Sequence, residues 1–139
     1  MIKFSNYCKG LNEGSVASAD TPGMLFGSLM QSVVEAWKFH LLTESYAVHD
    51  ALNDYYNEAP KYIDAMVEHF ISVKGKERLG EITDILSAET DVITYLGNVR
   101  TILVQYRNSM FTEDAVITKD IDDLLGLVDS TLYKVKNLA

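Results

Sequence analysis

The chain is short of thiols, prolines, positive charge and long apolar runs, and each shortage removes a class of protein. Cys8 is the one cysteine in 139 residues. It closes no internal disulfide, so packing or a bound ligand has to hold the fold, and a reducing, cytoplasmic compartment is expected. No run of about eighteen uncharged apolar residues occurs, which excludes a spanning helix. The opening Met1-Ile2-Lys3-Phe4-Ser5-Asn6-Tyr7 has no apolar stretch behind its lysine, so no secretory leader is expected. Lys and Arg number 12 against 20 Asp and Glu, a formal charge of −8, which opposes any generic attraction to nucleic acid or anionic lipid. No basic tail reverses that sign: Lys3 and Lys9 are balanced by Glu13 and Asp20, and Lys134 and Lys136 stand alone near the C-terminus. Glycine-rich phosphate loops, Ser-His-Asp patterns and cysteine-based metal knuckles are also missing.

What is present is ordinary globular material, 47% hydrophobic and 23% charged, in a length that fits one domain. With only Pro22 and Pro60 to interrupt helices and no sustained alternation of β-branched with polar residues, the helical period dominates. Residues 1–20, rich in Gly, Ser and Asn, read as an N-terminal arm, and residues 21–139 as the folded body. Thr21-Pro22 predicts an N-cap and first turn for a helix over Pro22–Leu42, whose stripe Leu25, Leu29, Val33, Trp37 and Leu41 should face other helices. After Thr43-Glu44-Ser45 a second helix is expected from Tyr46 to Val73, kinked or interrupted at Pro60. Residues 76–87 carry enough period in Leu79, Ile82, Ile85 and Leu86 for a short helix inside a connection. Ser87 is placed to cap a third helix carrying Val92, Leu96, Val99, Leu103 and Tyr106 and ending near Asn108-Ser109. Thr118 is placed to cap a fourth with Ile121, Leu125, Val128, Leu132 and Val135. Gly23, Gly27, Gly97 and Gly126, isolated on helices, are expected to admit close helix contact. Two short links and one long crossover between the second and third helices describe an all-α four-helix bundle with ferritin-like connectivity.

The residues able to carry chemistry are unevenly spread. All three histidines, His40, His49 and His69, fall within thirty residues, with Asp64 and Glu68 among them. Imidazole with carboxylate suits iron, manganese or zinc. His49, Asn53, Asp64 and Glu68 stand at offsets of four, eleven and four, which keeps all four on one broad helix face. His49 and Asp64 are nevertheless roughly 22 Å apart along a helix axis at about 1.5 Å per residue, too far to share one ion within one chain. The short link instead brings His40 near His49, and Asp64 with Glu68 makes a second half-site. Each half is completed either by other helices of the same chain or by a two-fold axis that sets His40 and His49 of one copy against Asp64 and Glu68 of another.

The stretch Ala47-Val48-His49-Asp50-Ala51-Leu52-Asn53, followed by Asp64-Ala65-Met66-Val67-Glu68, resembles the signature of the Dps family of mini-ferritins, the DNA-protection proteins of starved cells. His49, Asp64 and Glu68 match that signature at its spacing, Asn53 stands where the family has its first Asp, and His40 corresponds to the upstream histidine, three residues nearer than usual and with Trp37 before it instead of after. The resemblance covers residues 37–71 and, less specifically, the last helix. It implies a four-helix subunit, a dodecameric shell, and Fe(II) oxidised by hydrogen peroxide at intersubunit sites, with Fe(III) stored as mineral and protection from oxidative stress as the outcome. His40, His49, Asn53, Asp64 and Glu68 would be the iron ligands. DNA binding is not expected, since the family commonly uses a lysine-rich tail. The alternatives are a degenerate relative, with the same assembly and no metal chemistry, and a small acidic adaptor that binds a partner through an amphipathic face.

Simpler roles stand beside these. Asp64 and Glu68 taken alone are an ordinary solvated i, i+4 pair, and His40 taken alone is a packed, hydrogen-bonded core histidine. His69 is expected at the surface or in packing, and Trp37, Tyr55, Tyr56 and Tyr62 in the core or an interface. The acidic run Glu113, Asp114, Asp120, Asp122 and Asp123 is expected to cap and solvate the fourth helix.

Overall fold

The computed structural model describes residues 20–139, so the reading of residues 1–19 as an arm lies outside the described residues. Four α-helices and no strand are formed among them: α1 Pro22–Leu42, α2 Tyr46–Lys74, α3 Val92–Ser109 and α4 Ala115–Asn137, with a single 3₁₀ turn at Lys76–Arg78. Helix is the only regular secondary structure among the described residues, as the period required.

Helix ends follow local chemistry. Pro22 opens α1 because its missing N–H would have had no intrahelical partner there. Ser45 caps α2 through an Oγ that accepts from the Val48 amide. Thr43, Glu44 and Ser45 thus separate two helices that must run antiparallel. α2 continues through Pro60, which is exposed, although proline has no amide hydrogen to give the carbonyl one turn back.

The expected caps at Ser87 and Thr118 are not used. Asp91 caps α3, accepting from the Thr94 amide, and Asp114 caps α4, accepting from the Val116 and Ile117 amides. Asp91 stands one turn nearer its helix than Ser87, Asp114 stands one turn before Thr118, and each carboxylate accepts those amides with full charge. The Thr118 hydroxyl, already inside the helix, donates back to the Asp114 carbonyl at 2.6 Å.

Around the core, α1 packs on α2 and α3, and α4 packs on α2 and α3, which leaves α2 and α3 diagonal. Leu25, Leu29, Leu52, Leu96 and Leu103 are fully buried, and each such side chain contributes about 1.5–3 kcal/mol. Phe26 of α1 meets Phe70 of α2 edge-on, with ring centroids 6.0 Å apart, and stacks on Phe111 of the α3–α4 link at 6.2 Å.

The stripe assigned to α1 is only half right. A step of four residues turns the helix about 40° past a full revolution, so the series drifts about 160° between Leu25 and Leu41. Leu25 and Leu29 are fully buried, whereas Trp37 is 53% and Leu41 66% exposed. On α4 the core position belongs to Leu124, and Leu125 is only partly buried.

Beyond Arg78 the connection is not helical up to α3, contrary to the short helix expected over residues 76–87. Its backbone bonds to α1 instead: the Gly23 amide donates to the Leu79 carbonyl at 2.8 Å, the Thr83 amide to the Gly23 carbonyl at 3.2 Å, and the Ile85 amide to Ser28 Oγ at 3.0 Å. Such closeness requires glycine, since a Cβ on Gly23 would strike the Glu81 carbonyl and one on Gly27 the Thr83 backbone. These two glycines admit the connection, not another helix. Gly97 and Gly126 have nothing within 4 Å of a built Cβ and admit no close contact.

Candidate functional site

The end of α1 and the start of α2 hold His40 and His49 in a reciprocal lock. His40 Nδ1 lies 2.8 Å from the His49 carbonyl, and His49 Nδ1 lies 3.0 Å from the His40 carbonyl. A carbonyl only accepts, so each Nδ1 carries the hydrogen, and the tautomer so fixed has its lone pair on Nε2. That is the tautomer a metal-ligating histidine adopts when its other nitrogen donates to a backbone oxygen. The rings stack with centroids 3.6 Å apart, His40 buried and His49 exposed.

Aromatic side chains wall this pair. Tyr56 stands edge-on to His40 at 5.1 Å, Trp37 stacks on Tyr56 at 5.9 Å, and Tyr46 stacks on His49 at 6.4 Å. The Tyr56 hydroxyl donates to Asn53 Oδ1 at 3.0 Å, one turn beyond His49. An amide oxygen accepts two hydrogen bonds, so one lone pair of Asn53 remains for another partner.

Asp64 and Glu68 are exposed, one turn apart on α2. A hydrogen bond with Asp64, reinforced by the Asp64 negative charge, pushes the Glu68 carboxyl above its ordinary range. Among the described residues no three or more His, Cys, Asp or Glu side chains lie together as one ion would need. The structure thus joins His40 to His49 and Asp64 to Glu68, and does not join the two pairs within one chain.

The remaining polar candidates have structural partners. His69 Nε2 lies 3.2 Å from Asp114 Oδ1. Partial burial raises the Asp114 carboxyl, but hydrogen bonds from the Ile117 amide and the charge and hydrogen bond of His69 outweigh it and hold it below the usual range. Arg107 grips Asp122 through Nε at 2.6 Å and Nη2 at 3.0 Å, and Lys119 pairs with Asp123 at 2.9 Å.

Sequence reasoning missed a second polar group, on the inner side of α1. Ser28, Ser32 and Glu35 occupy core-facing positions at offsets of four and three, with Glu35 only 6% exposed. The Ser32 hydroxyl meets the Tyr55 hydroxyl at 2.7 Å, and burial pushes the Tyr55 phenol up to about 12. The signal was available: a carboxylate and two hydroxyls at the spacing of a core seam.

A relative of similar length is found. An uncharacterized 14.6 kDa protein from the mobD–ri intergenic region of Enterobacteria phage T4 is 27% identical over 133 residues, covering 95% of this chain and 96% of its own. No solved structure matches. A family model matches residues 40–135, from the first candidate ligand to the last turns of α4, and on that match the chain belongs to a family of unknown function (DUF5856).

Proposed function

We propose that the chain is a ferritin-like, Dps-type four-helix subunit that takes Fe(II) as its substrate at sites shared between two copies and oxidises it with hydrogen peroxide. The observation that carries this reading is the histidine lock, in which two main-chain carbonyls engage the Nδ1 atoms and leave Nε2 as the ring nitrogen for a metal. The carboxylates of Asp64 and Glu68, one turn apart on the same broad face of α2, supply the oxygen ligands that a histidine pair lacks. The exposed apolar residues Met30, Val34, Trp37 and Leu41 on α1 offer the surface on which a second copy would seat. Antiparallel pairing about a two-fold axis would then oppose His40 and His49 of one subunit to Asp64 and Glu68 of the other, giving two equivalent sites per dimer.

The chemistry follows from the donors. Neutral imidazole holds Fe(II), and carboxylate oxygen stabilises Fe(III) as it forms. Two Fe(II) each give one electron to peroxide, the O–O bond breaks, and two protons complete two waters. Asn53, a neutral amide engaged by Tyr56, makes the second iron position the weaker one. Assembly as a dodecamer, storage of Fe(III) as mineral, protection from oxidative stress and a cytoplasmic setting belong to the same proposal, and nucleic acid is not a partner in it. No helix among the described residues is long and apolar enough to cross a membrane.

Size-exclusion chromatography with light scattering, followed by anaerobic Fe(II) loading of the collected peak, tests it. A shell-sized particle that binds iron and consumes peroxide is expected. A shell without iron would identify the degenerate relative, and a monomer would remove the intersubunit site.

A further inference from the structure

α1 carries the same spacing twice. Leu25, Leu29, Ser32 and Ala36, at offsets of four, three and four, are at most 1% exposed and belong to the interior of the bundle. Met30, Val34, Trp37 and Leu41 repeat those offsets five residues further on, about 140° round the helix, and are 40%, 44%, 53% and 66% exposed. Residues three and four apart are neighbours on a helix surface, so these four make one unbroken apolar stripe of the kind that forms a coiled-coil seam.

The stripe reads the same from both ends. A two-fold axis crossing α1 between Glu35 and Ala36 exchanges Met30 with Leu41 and Val34 with Trp37, so a second copy lying antiparallel sets the largest side chain of the stripe over the smallest. An isologous contact requires such self-complementarity, and a foreign partner does not. α2 fixes the position of that axis a second time. Trp37 stacks on Tyr56, and Met30 and Val33 line a groove of about 280 Å³ with Pro60, Ile63 and Asp64. The point between Glu35 and Ala36 therefore lies level with Asn57 and Glu58. That level is also midway along α2 between His49 and the pair Asp64 and Glu68, so one axis both closes the apolar stripe and opposes imidazoles to carboxylates.

We propose that a second copy of this chain docks on the stripe in that register, with its Trp37 over Val34 and its Leu41 entering the groove beside Asp64. The pairing rests on the two-copy reading above and adds to it the contact that sets the register. Leu41 directly follows His40, so its seating in the groove carries the histidine lock of one copy to the carboxylates of the other. A parallel seam would instead bring Asp64 against Asp64, carboxylate against carboxylate, which the antiparallel register avoids.

The test uses the full-length chain with Cys8→Ser, in EDTA, so that no metal takes part. The stripe is about 16 Å long at about 1.5 Å per residue. A bismaleimide of half that reach should convert the chain carrying both Met30→Cys and Leu41→Cys into a covalent dimer, while either variant alone stays uncoupled because its two thiols stand a full stripe apart. Trp37→Glu, at an exposed position, should keep wild-type helicity and fall to half the wild-type particle mass or less by light scattering. A double variant that does not couple, equal coupling in a single variant, an unchanged particle mass in Trp37→Glu, or a monomeric wild type, which would leave the stripe to a partner of another kind, would each overturn the proposal. Covalent dimers that oxidise no iron would sustain the pairing and fail the iron chemistry. Iron oxidation by a particle that does not couple would place that chemistry at another contact and overturn the pairing.

Discussion

The two halves of the candidate iron site are held by different means. His40 and His49 are fixed by main-chain carbonyls from adjoining helix ends, one ring buried and the other stacked on it. Asp64 and Glu68 are solvent-exposed one turn apart, and a hydrogen bond with Asp64 and its negative charge raise the Glu68 carboxyl. One half is therefore organised before a metal arrives, and the other would be organised by the cation it receives. Pre-organisation of the imidazoles is part of the fold's stability, whereas the carboxylates add nothing to it.

The largest expected effect tests that division directly. Asp64→Ala should slow peroxide-dependent iron oxidation by about a hundredfold or more, with helicity, melting temperature and particle size unchanged. Wild-type oxidation rates in that variant would rule out the carboxylate half. His40→Ala should instead cost about 1–3 kcal/mol in urea unfolding, because it opens a buried space and leaves the His49 carbonyl without its donor. His49→Ala, at an exposed position, should cost less, and equal losses would show that the lock is not asymmetric.

Asn53→Asp sharpens the contrast by adding a charge beside the histidines. It should tighten the weaker iron by about tenfold, seen as a second binding step in calorimetry, and an unchanged isotherm would show that position 53 makes no contact with iron. The smallest effect concerns pH. A cation needs Glu68 ionised, so binding is complete above its raised pKa and is lost as pH falls through it. Asp64→Asn removes the negative charge that raises Glu68 and should move that loss to lower pH; a midpoint that stays in place or rises would mean that the two carboxyls do not interact.

Much of the fold was legible because it is local. Thr21-Pro22 and Ser45 mark helix starts through groups within a few residues, and α1 ends at Leu42 as its pattern does. The meeting of His40 and His49 was legible for the same reason, since a three-residue link leaves them little choice. Caps were misplaced where two candidates competed, Ser87 against Asp91 and Thr118 against Asp114, because which one meets the free amides depends on where the preceding segment is pinned. Trp37 and Leu41 were misread because a four-residue repeat was treated as a straight stripe when it winds round the helix.

The helical class, the number of long helices and the meeting of His40 with His49 follow from periodicity, capping chemistry and short links, all of which act within a few residues of the chain. The path of the crossover over Gly23 and Gly27 depends on contacts between residues far apart in sequence. Main-chain amides and carbonyls hold the crossover to Gly23, and they carry no side-chain signature. Packing alone could therefore bring them together.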